Sequence, residues 1–454
     1  MPPLHVIVLA AGKGKRMYSD LPKVLHCLAG RPLLGHVIET AMSLEAAVIH
    51  VVQGHEGEQV RAHFRDIPVQ WVEQEEQLGT GHAVMQAMSA VPDDAVVLVL
   101  FGDVPLVRVE TLQAVILPAV SGGLGLVTAV VDQPEGLGRI LRDQSQKVIG
   151  IVEHKDADPD QLSIREINTG IMAVPAAPLR AWVNAIENQN AQGEYYLTDV
   201  ISRAAGEGID IQTVSPASIE EVLGVNDRVE LSRLERLYQR RQAEKLMRAG
   251  VTLTDPARLD VRGRVVAGRD VHIDVNVVLE GDVHIGDGVR IGPNCVLKDV
   301  VLGAATEILS HCVIESASVG DGCRIGPYAR IRPGTRLDKA VRVGNFVEVK
   351  ATYIGEGSKA NHLTYLGDAE IGAGVNVGAG TIVCNYDGAS KHRTIIGDDA
   401  FIGSGVELVA PVTINAGATI GAGSTITKDA PENQLTLSRS RQITHRGWKR
   451  PRKK

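Results

Sequence analysis

The residues with the clearest chemical potential lie near the start of the chain, in Leu9-Ala10-Ala11-Gly12-Lys13-Gly14-Lys15-Arg16-Met17. An apolar run, Val6-Ile7-Val8-Leu9, precedes them and reads as a buried parallel strand. Glycines and small alanines let the backbone approach a ligand, and three cations stand beside them. That combination suits a polyphosphate, whose oxygens accept from backbone N–H groups while Lys and Arg offset its charge. The spacing is neither the P-loop G-x-x-x-x-G-K-[ST] nor G-x-G-x-x-G, since Met17 stands where the third glycine would be. An ordinary strand-to-helix turn would need the glycines but not the cations.

Further along, Asp103 follows a second apolar run, in Gly102-Asp103-Val104-Pro105, and suits Mg²⁺. That ion takes one or two protein oxygens and completes its shell with phosphates and water. Asn226, in Gly224-Val225-Asn226, offers a second oxygen. Gln74-Glu75-Glu76-Gln77-Leu78-Gly79-Thr80-Gly81 mixes amides with a tight turn and suits a base edge such as uracil. Gly136-Leu137-Gly138-Arg139, Glu153 and Asn168-Thr169-Gly170 are polar or flexible positions that suit a sugar. Capping aspartates and glycine turns are common, so it is the set that argues and not its members. In the second half, His362 stands in Asn361-His362-Leu363-Thr364-Tyr365. It reads as a structural histidine, a zinc ligand or a general base. No second histidine lies at metal-ligand spacing, which counts against zinc. Imidazole titrates near neutrality and can take a proton from an attacking amine.

These residues need two different scaffolds. A chain of 454 residues is too long for one core. Up to about residue 225, short apolar runs (Val48–Val52, Ala95–Phe101, Leu124–Val131) alternate with helix-like stretches, the pattern of a parallel α/β sheet. Such sheets bind ligands at the carboxyl ends of their strands, where the Gly12 and Asp103 loops fall. A charged amphipathic stretch follows, capped by Asn226 or Asp227 and ended by Gly250. Its apolar positions are Val229, Leu231, Leu234, Leu237, Leu246 and Met247. From about residue 251 glycine rises and an apolar residue recurs every sixth position, as at Ile402, Leu408, Ile414, Ile420 and Ile426. A period of six predicts a parallel β-helix with three short strands per coil. The period breaks at Cys384–Lys391, where Asn385-Tyr386-Asp387-Gly388 reads as a protruding loop.

Composition excludes some functions. The net charge of −7 argues against bulk nucleic-acid binding, and no apolar run is long enough to span a bilayer. The last stretch, Arg439 to Lys454, holds eight Lys or Arg and no acid, and reads as a solvated tail. Cys27, Cys295, Cys312, Cys323 and Cys384 form no C-x-x-C pair and read as small buried side chains. Their odd number, with no signal-like segment at Met1-Pro2-Pro3, predicts a reducing cytoplasm.

Leu9–Met17 with Leu21-Pro22-Lys23 resembles the signature of sugar-phosphate nucleotidyltransferases. Gln77-Leu78-Gly79-Thr80-Gly81, Gly102–Pro105, Glu153-His154-Lys155-Asp156 and Glu166-Ile167-Asn168-Thr169-Gly170 narrow the likeness. With the hexapeptide half added, the whole chain resembles a bacterial family of bifunctional enzymes. That family joins N-acetylglucosamine-1-phosphate uridylyltransferase to glucosamine-1-phosphate N-acetyltransferase. Lys15 and Phe101 stand where such proteins often carry Thr and Tyr.

The resemblance implies a Rossmann-like α/β nucleotidyltransferase domain with a mostly parallel sheet over residues 1–226, and a linker helix over 227–249. It implies a left-handed parallel β-helix of hexapeptide repeats, with the basic tail, over 250–454. UTP would lie on Leu9, Ala10, Gly12, Lys23, Gln74, Gly79 and Thr80, with Arg16 facing the phosphates that leave as pyrophosphate. Gly138, Glu153 and Asn168 would hold N-acetylglucosamine-1-phosphate, and Asp103 and Asn226 would bind Mg²⁺. In the second half His362 would be the base, and Arg332, Lys350, Tyr365 and Asn376 would hold glucosamine-1-phosphate. Asn385 and Tyr386 would complete that site, and Ala379, Ser404, Ala422 and Arg439 would bind acetyl-CoA. The family also implies a cytoplasmic homotrimer with no nucleic-acid or membrane partner. Two rivals stand beside this reading. One is a single-activity nucleotidyltransferase with an inert β-helix; the other is a non-catalytic sugar-nucleotide binder.

Overall fold

Valine, isoleucine and leucine crowd the first sheet because it is buried on both faces, where β-branched side chains pack best. In the computed structural model, which describes residues 2–12, 14–54 and 57–453, the chain divides into two compact units. They are Met1–Tyr238 and Gln239–Lys454.

In the first unit the strands lie in the spatial order Ile211–Val214, Leu124–Val130, Glu166–Pro175, Val96–Phe101, Leu4–Leu9, Val48–Gln53 and Gln70–Glu73. All neighbours run parallel except Glu166–Pro175, which is antiparallel to both strands beside it. A hairpin of Arg139–Arg142 and Val148–Val152 joins that strand. Register places the site: Leu9 pairs with both Phe101 and Val52, so the Gly12 and Asp103 loops leave the sheet side by side.

Two histidines pair inside this sheet. His5 Nδ1 and His50 Nε2 lie 3.0 Å apart, the rings stack, and His50 is fully buried. Burial and the neighbouring His5 push the His50 pKa down from 6.5 to about 4. Burial lowers that of His5 as well, against the pull of Asp94. The unfolded chain therefore takes up a proton that the folded unit refuses. Stability is lost as pH falls from 6.5 towards 4, by up to about 1.4 kcal/mol per pH unit for His50, and His5 adds to the loss in the same direction. Melting of the first unit at stepped pH should show this slope. The double variant His5→Val/His50→Val should flatten it, and an unchanged slope in that variant would refute the assignment.

The long helix runs Arg228–Arg248. Asp227, not Asn226, caps it, with Oδ1 accepting from the Val229 and Glu230 N–H groups at 2.9 Å. Leu234 and Leu246 are buried as the apolar pattern requires. Val229 is not: at 69 % exposure it sits in the first turn, and Met247 in the last turn is also exposed. Helix ends present fewer neighbours than the middle, so periodicity overstates burial there.

The second unit is a left-handed parallel β-helix with three faces per coil. One face carries an unbroken ladder of inward residues: Ile273, Ile291, Ile308, Ile325, Val343, Ala360, Val377, Ile402 and Ile420. All are buried, and truncating one of the isoleucines to alanine is expected to cost about 2–5 kcal/mol. The period of six is not strict. Ile325 pairs with Val343 eighteen residues on, but Ile291 pairs with Ile308 only seventeen on, so some coils shorten one corner. Val377 pairs with Ile402 twenty-five residues on, and the surplus is the loop after Cys384.

Three cysteines, Cys295, Cys312 and Cys323, are buried among these coils. Cys27 is exposed, contrary to expectation, and Cys384 is half-buried. Cys27 begins a short hairpin, Cys27–Leu28 with Arg31–Pro32, whose alternation turns Leu28 inward and Cys27 outward.

Candidate functional sites

In the first unit a cleft of about 260 Å³ opens at the carboxyl ends of the central strands. Leu9, Ala10, Gly12, Lys23, Gln74, Gly79, Thr80 and Asp103 line it together. Phe101, Gln77 and Glu194 line it too. Gly12 is open to solvent, and a side chain built there would meet nothing. Gly79 differs: its φ is +116°, and a Cβ would stand 2.6 Å from the Tyr195 carbonyl oxygen. Only glycine fits there without strain. Gln74 is buried beneath this turn and donates to the Gly79 carbonyl at 3.2 Å. Thr80 Oγ1 accepts from the Leu197 N–H at 3.2 Å. Arg16 is exposed on the short helix Lys15–Met17, and Lys13 lies outside the described residues.

Lys23 Nζ is paired with the Asp103 carboxylate and lies 3.4 Å from Asn226 Oδ1. The two loops are tied together by the Val225 N–H donating to the Asp103 carbonyl at 2.9 Å. A carboxylate and an amide oxygen thus converge on one cationic atom. Hard oxygens around a positive centre fit Mg²⁺, which accepts few protein ligands beside phosphates and water. No cluster of three or more His, Cys, Asp or Glu capable of holding a metal occurs among the described residues. The remaining ligands of an ion here would come from substrate and solvent.

Gly138, Glu153 and Asn168 form a separate edge. The Asn168 N–H donates to the Gly138 carbonyl at 2.9 Å, and a Cβ on Gly138 would lie 3.4 Å from Glu153 Oε2. Thr198 Oγ1 donates to Glu153 Oε1 at 3.0 Å. Burial pushes the Glu153 carboxyl above its usual range, while the Thr198 hydrogen bond opposes the shift. Asn168 Oδ1 accepts from the Gly170 N–H at 2.9 Å. Gly170, with φ +83°, lets Phe101 lie against the chain.

In the second unit Lys350 and Asn385 meet on Asp368, Tyr365 joins them through Asn385, and Arg332 stands beside them. Lys350 Nζ lies 3.8 Å from Asp368 Oδ2, and Asn385 Nδ2 donates to that same carboxylate. Asn385 Nδ2 also stands 3.5 Å from Tyr365 Oη. Arg332 Nη1 pairs with Glu348 at 2.7 Å, and Glu348 sits beside Tyr365 in the ladder. The loop that carries Asn385 is built by Asp387, whose Oδ1 accepts from the Ala389 and Ser390 N–H groups. These bonds and His392 hold the Asp387 carboxyl far below its usual range. Lys391 returns to this cluster, and its proximity to Lys350 lowers its pKa. Tyr386 is exposed, with its hydroxyl donating to Gly388 O. Asn376 lies in another strand row, beside Lys359 and Phe401, with no hydrogen bond to this cluster among the described residues.

His362 occupies a corner of its coil, and its Nδ1 lies 2.8 Å from Asn345 Oδ1. Ala379 and Ser404 hold the same corner position in the next two coils. The Gly380, Gly405 and Gly423 N–H groups donate to the carbonyls of His362, Ala379 and Ser404 in turn. Ala422 follows in the next coil, and Arg439 Nη1 donates to its carbonyl at 2.7 Å. With coils about 4.8 Å apart, the row from His362 to Ala422 spans about 14 Å of small side chains ending at a cation. Asn345, Asp368, Glu348, Glu194 and Tyr195 lie beside the candidate residues and were not found by sequence reading, because each is brought in by pairing between distant segments.

Residues 6–252 match the family described as MobA-like NTP transferase domain. Residues 261–354 match the GMPPB C-terminal domain, and residues 393–428 match the bacterial transferase hexapeptide of six repeats. Proteins named Bifunctional protein GlmU are similar over nearly the whole chain. That of Alkalilimnicola ehrlichii is 59% identical, covering 99% of this chain and 96% of its own. That of Methylococcus capsulatus is 57% identical, covering 98% and 97%. That of Ralstonia nicotianae is 56% identical, covering 99% and 98%.

Proposed function

The chain belongs to the bifunctional GlmU family, and from that premise we propose which of its residues carry the two reactions that make UDP-N-acetylglucosamine. The observation that carries the reading is similarity at 56–59% identity across both units, in a chain that holds both constellations. The β-helix unit moves an acetyl group from acetyl-CoA to the amine of glucosamine-1-phosphate. The α/β unit then joins N-acetylglucosamine-1-phosphate to the uridylyl group of UTP. We assign the α/β activity to residues 1–226, the linker to 227–249 and the acetyltransferase to 250–454.

For acetyl transfer, His362 Nε2 takes the proton as the amine nitrogen attacks the thioester carbonyl. A C–N bond forms, the C–S bond breaks, and coenzyme A leaves as the thiol. Arg332 and Lys350 hold the sugar phosphate, with Tyr365, Asn376, Asn385 and Tyr386 around the ring. The row Ala379, Ser404 and Ala422 takes the pantetheine arm, and Arg439 faces the coenzyme phosphates. What supports this is the continuity of that row with His362.

For uridylyl transfer, a sugar-phosphate oxygen attacks the α-phosphorus of UTP in line, and the bond to pyrophosphate breaks. Leu9, Ala10, Gly12, Gln74, Gly79 and Thr80 seat the nucleotide, and Gly138, Glu153 and Asn168 seat the sugar. Lys23 and Arg16 offset the repulsion between two anions. Mg²⁺ held by Asp103 and Asn226 would supply further charge neutralisation to the phosphates.

We further propose a homotrimer in the cytoplasm. Hexapeptide acyltransferases resemble this unit and assemble so, and no helix among the described residues is long and apolar enough to cross a membrane. One coupled reaction tests the function: protein, Mg²⁺, UTP, glucosamine-1-phosphate and acetyl-CoA, with free coenzyme A and pyrophosphate followed separately. Both should be released. Pyrophosphate from supplied N-acetylglucosamine-1-phosphate, with no coenzyme A release, would reduce the β-helix to a scaffold.

A further inference from the structure

A buried guanidinium stands behind the sugar edge of the α/β cleft, and the reaction as derived makes no use of it. Arg139 is 1 % exposed. Its Nη1 donates to the Leu137 carbonyl, and Nη2 lies 3.4 Å from His154 Nδ1. A guanidinium only donates, so that His154 nitrogen accepts. Nε is buried and has no hydrogen-bond partner among the described residues. Among the described residues the hydrogen-bond partners of this buried cation are thus neutral, an arrangement that packing alone would not favour.

The two groups it holds are telling. Leu137 immediately precedes Gly138, and His154 immediately follows Glu153. Gly138 and Glu153 face each other across the sugar edge, with a Cβ on Gly138 lying 3.4 Å from Glu153 Oε2. Asn168 hangs from the same backbone through the Gly138 carbonyl. The hairpin register places Arg139 opposite Val152, so its side chain can reach both flanks at once.

We infer that Arg139 is a positioning residue for uridylyl transfer. One guanidinium clamps the chain before Gly138 and the side chain after Glu153, and so sets the spacing across which the sugar phosphate is gripped. This rests on the assignment of Gly138, Glu153 and Asn168 to that substrate. The planar fork of arginine spans two acceptors, and the single ammonium of lysine does not do so in that geometry. Were Arg139 mere filler, methionine would serve as well or better.

The test uses the full chain with Arg139→Met, Arg139→Lys and His154→Ala, varying UTP and N-acetylglucosamine-1-phosphate separately and recording thermal melting. Arg139→Met should raise KM for the sugar phosphate about ten- to a hundredfold, the scale of a small misplacement. KM for UTP should stay within about twofold, a split that separates loss of sugar positioning from general damage. Arg139→Lys should fall between wild type and Met, and His154→Ala should shift the sugar KM in the same direction by less. A folded Arg139→Met with wild-type sugar KM overturns the clamp. So does an equal rise in both KM values with a lowered Tm, which marks a structural role only. Should Arg139→Met not fold, His154→Ala decides, and an unchanged sugar KM there overturns the proposal. A wild-type chain that releases no pyrophosphate with this acceptor would overturn the substrate assignment and the clamp with it; failure of the clamp alone leaves wild-type transfer intact.

Discussion

Replacing His362 with alanine should lower coenzyme A release by about two to four orders of magnitude, the range for loss of a general base. Pyrophosphate release from supplied N-acetylglucosamine-1-phosphate should stay at the wild-type rate. The argument is geometric. Asn345 Oδ1 lies 2.8 Å from His362 Nδ1. An amide oxygen only accepts, so Nδ1 carries the proton and Nε2 keeps the lone pair that the proposed reaction requires. Asn345→Ala should therefore slow acetyl transfer as well, by about tenfold, since the ring loses the partner that fixes its tautomer and orientation. The His362 side chain lies exposed at a coil corner, outside the inward ladder, so melting of the His362 variant should not change. Progress curves for both products, run on one preparation of each variant, check this. Wild-type coenzyme A release from the His362 variant would remove the histidine from the chemistry.

How much of this was legible in the sequence depends on how locally each feature is encoded. The Gly12 loop was readable because glycines, alanines and cations lie within nine consecutive residues after an apolar run. The β-helix was readable because its repeat restates one signal many times, though the mixture of seventeen- and eighteen-residue coils was not. The corner row of Ala379, Ser404 and Ala422 was reached only through resemblance, since alanine and serine announce nothing by type. Asn345 and Asp368 were missed because each acts on a residue seventeen positions away, one coil over. Arg139 was singled out only as part of a glycine-containing motif. Its burial follows from the hairpin of Arg139–Arg142 and Val148–Val152, which local pattern does not disclose. Asn226 was offered two roles, helix cap and metal ligand. The structure gives the cap to Asp227 and turns the Asn226 oxygen towards Lys23.

Asp103→Asn should lower uridylyl transfer by about two to three orders of magnitude at saturating Mg²⁺, the scale of losing a charged contribution to a phosphoryl-transfer site. Acetyl transfer should be untouched. The substitution keeps the shape of the side chain and removes one negative charge, so the effect reads electrostatics and not packing. In the folded chain the Asp103 carboxylate is paired with Lys23 Nζ, and both are largely screened from solvent. That ammonium must leave the carboxylate, at least in part, if it is to serve the nucleotide phosphates. On the proposed reading Asp103 has two uses: it holds Lys23 in place, and it would offer oxygens to Mg²⁺ when the lysine turns to the phosphates. Two signatures follow from this double use. The Mg²⁺ concentration giving half-maximal rate should rise in Asp103→Asn. In Lys23→Met that midpoint should stay near wild type while the maximal rate falls, because the carboxylate remains but the compensating cation does not. Initial rates of pyrophosphate release across a Mg²⁺ titration separate the two variants. A wild-type midpoint and rate in Asp103→Asn would place the ion elsewhere and leave Asp103 as no more than the partner of Lys23.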